Sequence, residues 1–209
     1  LLALLEAGKS VAYASEAGTP LVADPGYQLG RAAIEAGVPV FSAPGPSAAL
    51  AALTVSGLAS DRFLFVGFPP AQTGPRRRWL EAVDPASATV IAYESPKRVH
   101  RTLTEICDVL GENREIAVCR ELTKRFEEIL RGPSGQIRDS LASRTVKGEI
   151  VLVIARGSGQ VATEQEIETA LRQAMAEMPL KQAATQVAQA MGQPKRDIYQ
   201  LGLRLKGDG

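Results

Sequence analysis

Short apolar runs alternate with segments whose apolar residues recur at helical spacing along most of this chain. "LLALLEAGKS" reads as the end of an apolar-faced helix stopped by Gly8. "VAYAS" (11–15) predicts a strand, "YQLGRAAIEAG" a helix ended by Gly37, and "VPVFSA" (38–43) a second strand. "PSAALAALTVSGL" predicts an alanine-rich helix and "RFLFVGF" (62–68) a third strand. The Pro/Gly-rich "PPAQTGP" (69–75) breaks the pattern, and a second alternating set follows. Its helices are "RRRWLEAV", "PKRVHRTLTEICDVLG" and "PSGQIRDSLAS" (133–143); its strands are "ATVIAYE" (88–94), "EIAVCRE" (115–121) and "GEIVLVIA" (148–155). Strands alternating with helices predict α/β units on a largely parallel sheet.

Beyond "RGSGQ" the strand signal disappears. Residues 164–206 read as helices, the first opened by Thr163 and Glu166 at capping-box spacing. The last two, joined by a Gly-Gln-Pro turn, have helix-turn-helix character. This pattern divides the chain into 1–68, 69–157 and 163–209. The first residue is Leu1, and the opening helix lacks a start signal, so the expected reading begins mid-domain, with a strand and a helix preceding it.

Four stretches carry possible chemistry. In "SEAGTPLVADPG" (15–26), Asp24-Pro25 reads first as a helix cap and first helical residue. Glu16 to Pro20 instead follow a predicted strand, where open α/β sheets place ligands, and Gly18 permits close backbone approach. In "SAPGPSAALAAL", Ser47 is a cap, and the loop is either a tight connection or a second wall of one pocket. In "YESPKR" (93–98), Glu94 with Lys97 and Arg98 is either a surface ion-pair cluster or a cleft wall. "RELTKRFEEILRG" (120–132) reads as a solvated helical face or, paired with "YESPKR", as part of a shared polar cleft. Neither a GxGxxG fingerprint nor a Walker A loop occurs.

Composition narrows the partners. The 209 residues carry a net charge of +1, so a nucleic-acid surface has to be local. "RRRW" (76–79), Lys97-Arg98 with His100-Arg101, Arg120 with Lys124-Arg125, and Lys195-Arg196 are the basic elements; His100 reads as a helix-surface residue. Two cysteines and one histidine in no ligand spacing predict neither a metal site nor a disulfide framework, which suits a reducing cytosol. No apolar run approaches a membrane span.

Taken in order, "SEAGTPLVADPGYQL", "PGPSAALAALTVSGL", "FLFVGFPP", "YESPKR" and "RELTKRFEEILRG" resemble the ribosomal RNA small subunit methyltransferase I family, a branch of the tetrapyrrole methylases. The resemblance runs from about Val11 to Ala155 and extends to the helical tail. It implies two α/β domains with an S-adenosylmethionine cleft between them, a C-terminal three-helix extension, and a homodimer. It also implies 2′-O-ribose methylation of a cytidine in small-subunit ribosomal RNA. By position, Ser15, Glu16, Ala17, Gly18, Ser47 and Ala48 lie along the cofactor, with Tyr93 and Glu94 facing the cleft. Lys97, Arg98 and Arg120 fall on the RNA side; Glu94 and Glu121 are the expected proton acceptors, and Lys124 or Arg120 holds a phosphate. The chain departs from the family in having Glu16 for an aspartate and Lys97 for a histidine, and it lacks the "TPIGN"-like and "AEDTR"-like segments. Two rival readings are a small-tetrapyrrole methyltransferase and a non-catalytic nucleic-acid-binding module.

Overall fold

The computed structural model describes residues 1–84, 87–157, 164–191 and 194–207. Its centre is a five-stranded sheet in the order β1-β2-β5-β3-β4: β1 (Phe63–Phe65), β2 (Thr89–Glu94), β3 (Glu115–Arg120), β4 (Glu128–Pro133) and β5 (Ile150–Ile154). The sheet is mixed, not largely parallel. β1 pairs parallel with β2, while β5 runs antiparallel to both β2 and β3, and β4 antiparallel to β3. The reasons are local. A short connection between β3 and β4 permits only an antiparallel pair, whereas the β2-to-β3 connection contains a helix and restores the direction.

Strand residues alternate by size between the two faces. Ile116, Val118, Ile150, Leu152 and Ile154 pack against α4 (Thr73–Val83), α5 (Val99–Leu110) and α6 (Ser134–Leu141). The intervening Ala117, Cys119, Val151 and Val153 are smaller and face α3 (Ala48–Ser56). Ala49 and Ala52 let α3 lie close to the sheet, and Ser47 caps it by accepting from the Leu50 N–H. Both faces are therefore covered, and Ile91, Val153 and Cys119 are completely buried.

Several expectations need correction. Phe63–Phe65 belongs to the same sheet as Thr89–Glu94, and the break at 69–75 lies between β1 and α4. The runs at 11–15 and 38–43 form no strand: helices α1 (Leu2–Glu6) and α2 (Tyr27–Glu35) flank them, but neither run has a ladder partner among the described residues. A strand exists only as a paired element, and apolarity alone does not create one; Phe41 stands 89% exposed. "EEILRG" is β4, not a helical face. Arg76, expected on a basic surface, is fully buried against Glu105.

The tail is α7 (Glu164–Glu177), α8 (Leu180–Ala190) and α9 (Lys195–Gly207) around a core of its own, with Leu171, Ala183, Ala184 and Ile198 buried. The expected capping box and the Gly-Gln part of the turn fall on Thr163, Gly192 and Gln193, outside the described residues. Gly202 brings α9 against Leu180, whose side chain occupies the space a Cβ would need. No described helix is long and apolar enough to cross a membrane.

Candidate functional site

The loop from Ser15 to Gly26 is built around hydrogen bonds at its ends and middle. Tyr13 Oη donates to the Pro25 carbonyl at 2.9 Å, and Gly26, at φ 120°, takes the space beneath the Tyr13 ring. Thr19 Oγ1 donates to the Pro46 carbonyl at 2.9 Å, fastening this loop to the one that leads into α3. Leu21 and Ala23 are non-glycine residues at φ 71° and 55°, a conformation that costs about 1–3 kcal/mol each and gathers at functional sites. Gly26, not Asp24, is the N-cap of α2. Asp24 is left among the residues that line the cleft.

That cleft has a volume of about 300 Å³. The loop supplies Ala17, Gly18, Thr19 and Asp24; the start of α3 supplies Ser47 and Ala48. The sheet edge supplies Tyr93 and Glu94 from the end of β2, Phe68 from beyond β1, and Gly148 and Glu149 from the approach to β5. Tyr93 meets Phe65 and Phe68 edge to face, with centroids 4.8 and 5.6 Å apart, and its burial raises the phenol above its ordinary range. Volume, small-residue walls and few polar groups fit a small-molecule site.

Six of the expected residues are thus brought together: Ala17, Gly18, Ser47, Ala48, Tyr93 and Glu94. Ser15 and Glu16 stand outside the cleft lining. The Ser15 hydroxyl donates to the Ala17 carbonyl at 3.0 Å, and Glu16 is exposed. Glu94 lines the cleft, but its carboxylate is already engaged. Oε1 accepts from the Ser95 N–H and from Arg98, each at 2.7 Å, and Oε2 accepts from Thr102 Oγ1 at 2.6 Å. A carboxylate with such partners orients the turn that follows β2. Arg98 is spent on the same pair.

Glu121 also differs from expectation. It lies outside the lining and braces it: Oε1 accepts from the Glu149 N–H at 2.8 Å and from Lys124 Nζ at 3.0 Å, and Lys124 bridges on to Glu149 Oε2 at 2.9 Å. The Glu149 amide, then Lys124, hold the Glu121 carboxyl below its ordinary range; Glu149, then Glu121, raise Lys124. Gly148, at φ 90°, lacks the Cβ that would run into the Glu121 side chain. Arg120 pairs with Glu128 at 3.1 Å. Among the described residues of the 93–101 and 120–132 stretches, Lys97, Arg101 and Arg125 have no carboxylate partner and are open to a phosphate, unlike Arg98, Arg120 and Lys124.

Asp24, Phe68 and Glu149 are cleft residues that the sequence reading assigned no cleft role, whereas Thr19 falls within the 16–20 stretch expected at a ligand. Asp24 was hidden by its resemblance to a cap. Glu149 was hidden by direction: because β5 is antiparallel, its start sits beside the ends of β2 and β3, with Ile150 opposite both Glu94 and Arg120. Among the described residues no group of three or more His, Cys, Asp or Glu has the arrangement of a metal site.

Comparison with known proteins agrees with this architecture. Residues 1–138 match the family described as tetrapyrrole (corrin/porphyrin) methylases, and residues 161–206 match the RsmI C-terminal HTH domain. The chain is 45% identical to the ribosomal RNA small subunit methyltransferase I of Mesorhizobium japonicum, over 100% of this chain and 73% of that protein. It is 42% identical to the protein of that name from Escherichia coli O157:H7, over 99% of this chain and 73% of the relative. Among solved structures, the methyltransferase CobJ superposes with a TM-score of 0.57 at 18% identity, over 75% of this chain and 69% of that one, a likeness of fold. With its cleft at the meeting of the loops and the sheet edge, and with matches along its whole length, the chain belongs to the ribosomal RNA small subunit methyltransferase I family of the tetrapyrrole methylases.

Proposed function

We propose that this protein transfers a methyl group from S-adenosylmethionine to the 2′-hydroxyl of a cytidine ribose in small-subunit ribosomal RNA. The observation that carries the reading is a cleft shared by the 17–24 loop, the α3 start and the sheet edge, in a chain 45% identical to a relative of that name. Bound S-adenosylmethionine supplies an electrophilic methyl group on a sulfonium. The cleft suits it: Ala17, Gly18 and Ala48 leave room, Phe68 and Tyr93 offer apolar faces, and Asp24 and Glu149 supply negative charge for a cation.

The residues' work is mainly alignment. A ribose hydroxyl needs holding in line with the methyl carbon, and a fixed geometry removes much of the entropic barrier. Glu94 keeps the 94–98 turn and Arg98 in place through its three donors. Phe68 and Tyr93 give the sheet side of the cleft an apolar wall. The ribose proton goes to a cleft carboxylate with free oxygens. Asp24 meets that description, having no side-chain hydrogen bond or ion pair among the described residues. Asp24→Asn is expected to lower the rate of transfer more than S-adenosylmethionine affinity; an unchanged rate removes this assignment.

The same reading carries a homodimer acting in the cytosol on the small subunit or its RNA. Support for a partner copy is the edge strand β1, whose Phe63 and Leu64 are exposed. Support for a reducing compartment is the pair of free, buried thiols Cys107 and Cys119. The test is methyl incorporation by the full-length protein into small ribosomal subunits lacking the modification, with a porphyrin precursor as rival acceptor. A 2′-O-methyl is read as a phosphodiester that resists alkali. Label in the porphyrin, or label that leaves every phosphodiester alkali-sensitive, contradicts the reading.

A further inference from the structure

The connection from β3 to β4 carries the observation. Two non-glycine residues in it, Glu121 and Thr123, lie in the left-handed region at φ 50° and 65°. A β-branched residue there is uncommon and persists only where its surroundings hold it. Here they do. The Glu121 N–H donates to the Glu149 carbonyl at 2.9 Å, the Lys124 N–H to Glu121 at 3.0 Å, and the Glu127 N–H to Lys124 at 3.1 Å. The Thr123 N–H donates to Glu127 Oε2 at 2.6 Å. The tip is thus built stiff, and it is fastened through Glu121 to Glu149, a residue of the cleft lining.

What this stiff tip presents is Phe126, 62% exposed, with the Arg125 guanidinium 5.5 Å from its ring centroid. The acids around it are occupied. Glu121 holds Lys124, Glu127 holds the Thr123 amide, and Glu128 pairs with Arg120 and Arg144. Arg125 has no carboxylate partner among the described residues. A rigid exposed aromatic beside an unpaired arginine, on a loop tied to a cleft residue, has the chemistry of a base-stacking platform. Every nucleobase has a π face for the ring, and the guanidinium suits the adjoining phosphate or a second face.

We infer that Phe126 and Arg125 form a stacking platform for an unpaired RNA base flanking the methylated nucleotide. The inference rests on the ribosomal RNA reading above and adds to it where the strand is gripped beside the cleft. Ribosomal RNA is read largely through unstacked bases and backbone, so the reaction requires such a grip to splay the target ribose into reach. A contact between copies of this chain is the alternative use of an exposed phenylalanine. The unpaired cation and the loop's tie through Glu121 to Glu149 of the cleft lining favour RNA.

The test measures binding of the full-length protein to unmethylated small ribosomal subunits, with S-adenosylmethionine binding by calorimetry and molar mass by light scattering alongside. Phe126→Ala is expected to weaken subunit binding about fivefold to a hundredfold. Phe126→Trp is expected to keep wild-type binding, while Phe126→Leu behaves like the alanine variant. Arg125→Ala is expected to lower the salt slope of binding by about one. Cofactor affinity and thermal midpoint stay unchanged. Full binding by Phe126→Ala, or rescue by leucine as good as by tryptophan, overturns the inference. So does a loss of binding that comes with halved molar mass, which would assign Phe126 to the contact between copies. Wild-type protein that fails to bind subunits overturns the ribosomal reading itself along with this one.

Discussion

Arg76 and Glu105 offer a sharp test of the packing that carries the cleft. Their side chains are 0% and 5% exposed and meet in a two-pronged pair, Nε to Oε2 at 2.5 Å and Nη2 to Oε1 at 2.7 Å. Arg76 Nη1 also donates to the carbonyls of Pro70 and Ala71 at 3.1 and 3.0 Å. One buried guanidinium thus ties α4 to α5 and fixes the segment that follows Phe68 of the cleft. Glu105→Gln, Glu105→Leu or Arg76→Met each strands one charge in the interior, at a cost of about 3–5 kcal/mol. Arg76→Met with Glu105→Leu strands neither. It removes donors from two partly buried carbonyls, at about 1–3 kcal/mol each where water cannot reach them. The double variant is therefore expected to lie well short of the summed single effects, with a coupling of several kcal/mol. Urea unfolding followed by tryptophan fluorescence reads this region directly, because the chain's one tryptophan, Trp79, lies on α4 and packs against the same core. A Glu105→Gln variant within about 1 kcal/mol of wild type, or additive single effects, would refute the reasoning.

Three further outcomes follow from the same geometry. Gly148→Ala puts a methyl against Glu121 at φ 90° and is expected to lower the thermal midpoint and cofactor affinity together; an unchanged midpoint contradicts the close packing. The Glu121 carboxyl is held below its ordinary 4.5 by the Glu149 amide and Lys124. A depressed folded pKa means stability that is fully present above 4.5 and lost as pH falls through the lower folded value. Glu121→Gln should flatten that acid limb of a stability-against-pH curve, and an identical limb in both proteins contradicts the brace. Deleting residues 164–209 should weaken subunit binding while leaving S-adenosylmethionine affinity nearly unchanged, because α7–α9 form a core of their own. A large loss of cofactor affinity on calorimetry contradicts that separation.

The elements with a buried, alternating or helix-spaced pattern were legible in the residues. β2, β3, β5 and α3 to α9 fall where apolar periodicity places them, because each packs an apolar face against a neighbour. "VAYAS" and "VPVFSA" carry the same local signal and form no strand, since pairing depends on residues distant in sequence. β4 was missed for the opposite reason. "EILRGP" sits on a sheet edge with mixed burial, and its charges, Glu128 and Arg131, look like those of a solvated helix.

The cleft shows why residue type alone does not assign a role. Both glutamates singled out as proton acceptors are engaged by the fold: Glu94 through both oxygens, on Ser95, Arg98 and Thr102, and Glu121 through Oε1, on the Glu149 amide and Lys124. Asp24 is the reverse case: it reads as a cap, yet the N-cap is Gly26, and Asp24 lines the cleft instead. Local sequence sets which groups stand near the end of a strand. Whether a carboxylate there is free depends on donors brought in from other segments, as Glu149 is by the antiparallel run of β5. The hydrogen-bond partners separate these carboxylates: Glu94 is engaged at both oxygens, Glu121 at one, and Asp24 has no side-chain partner among the described residues.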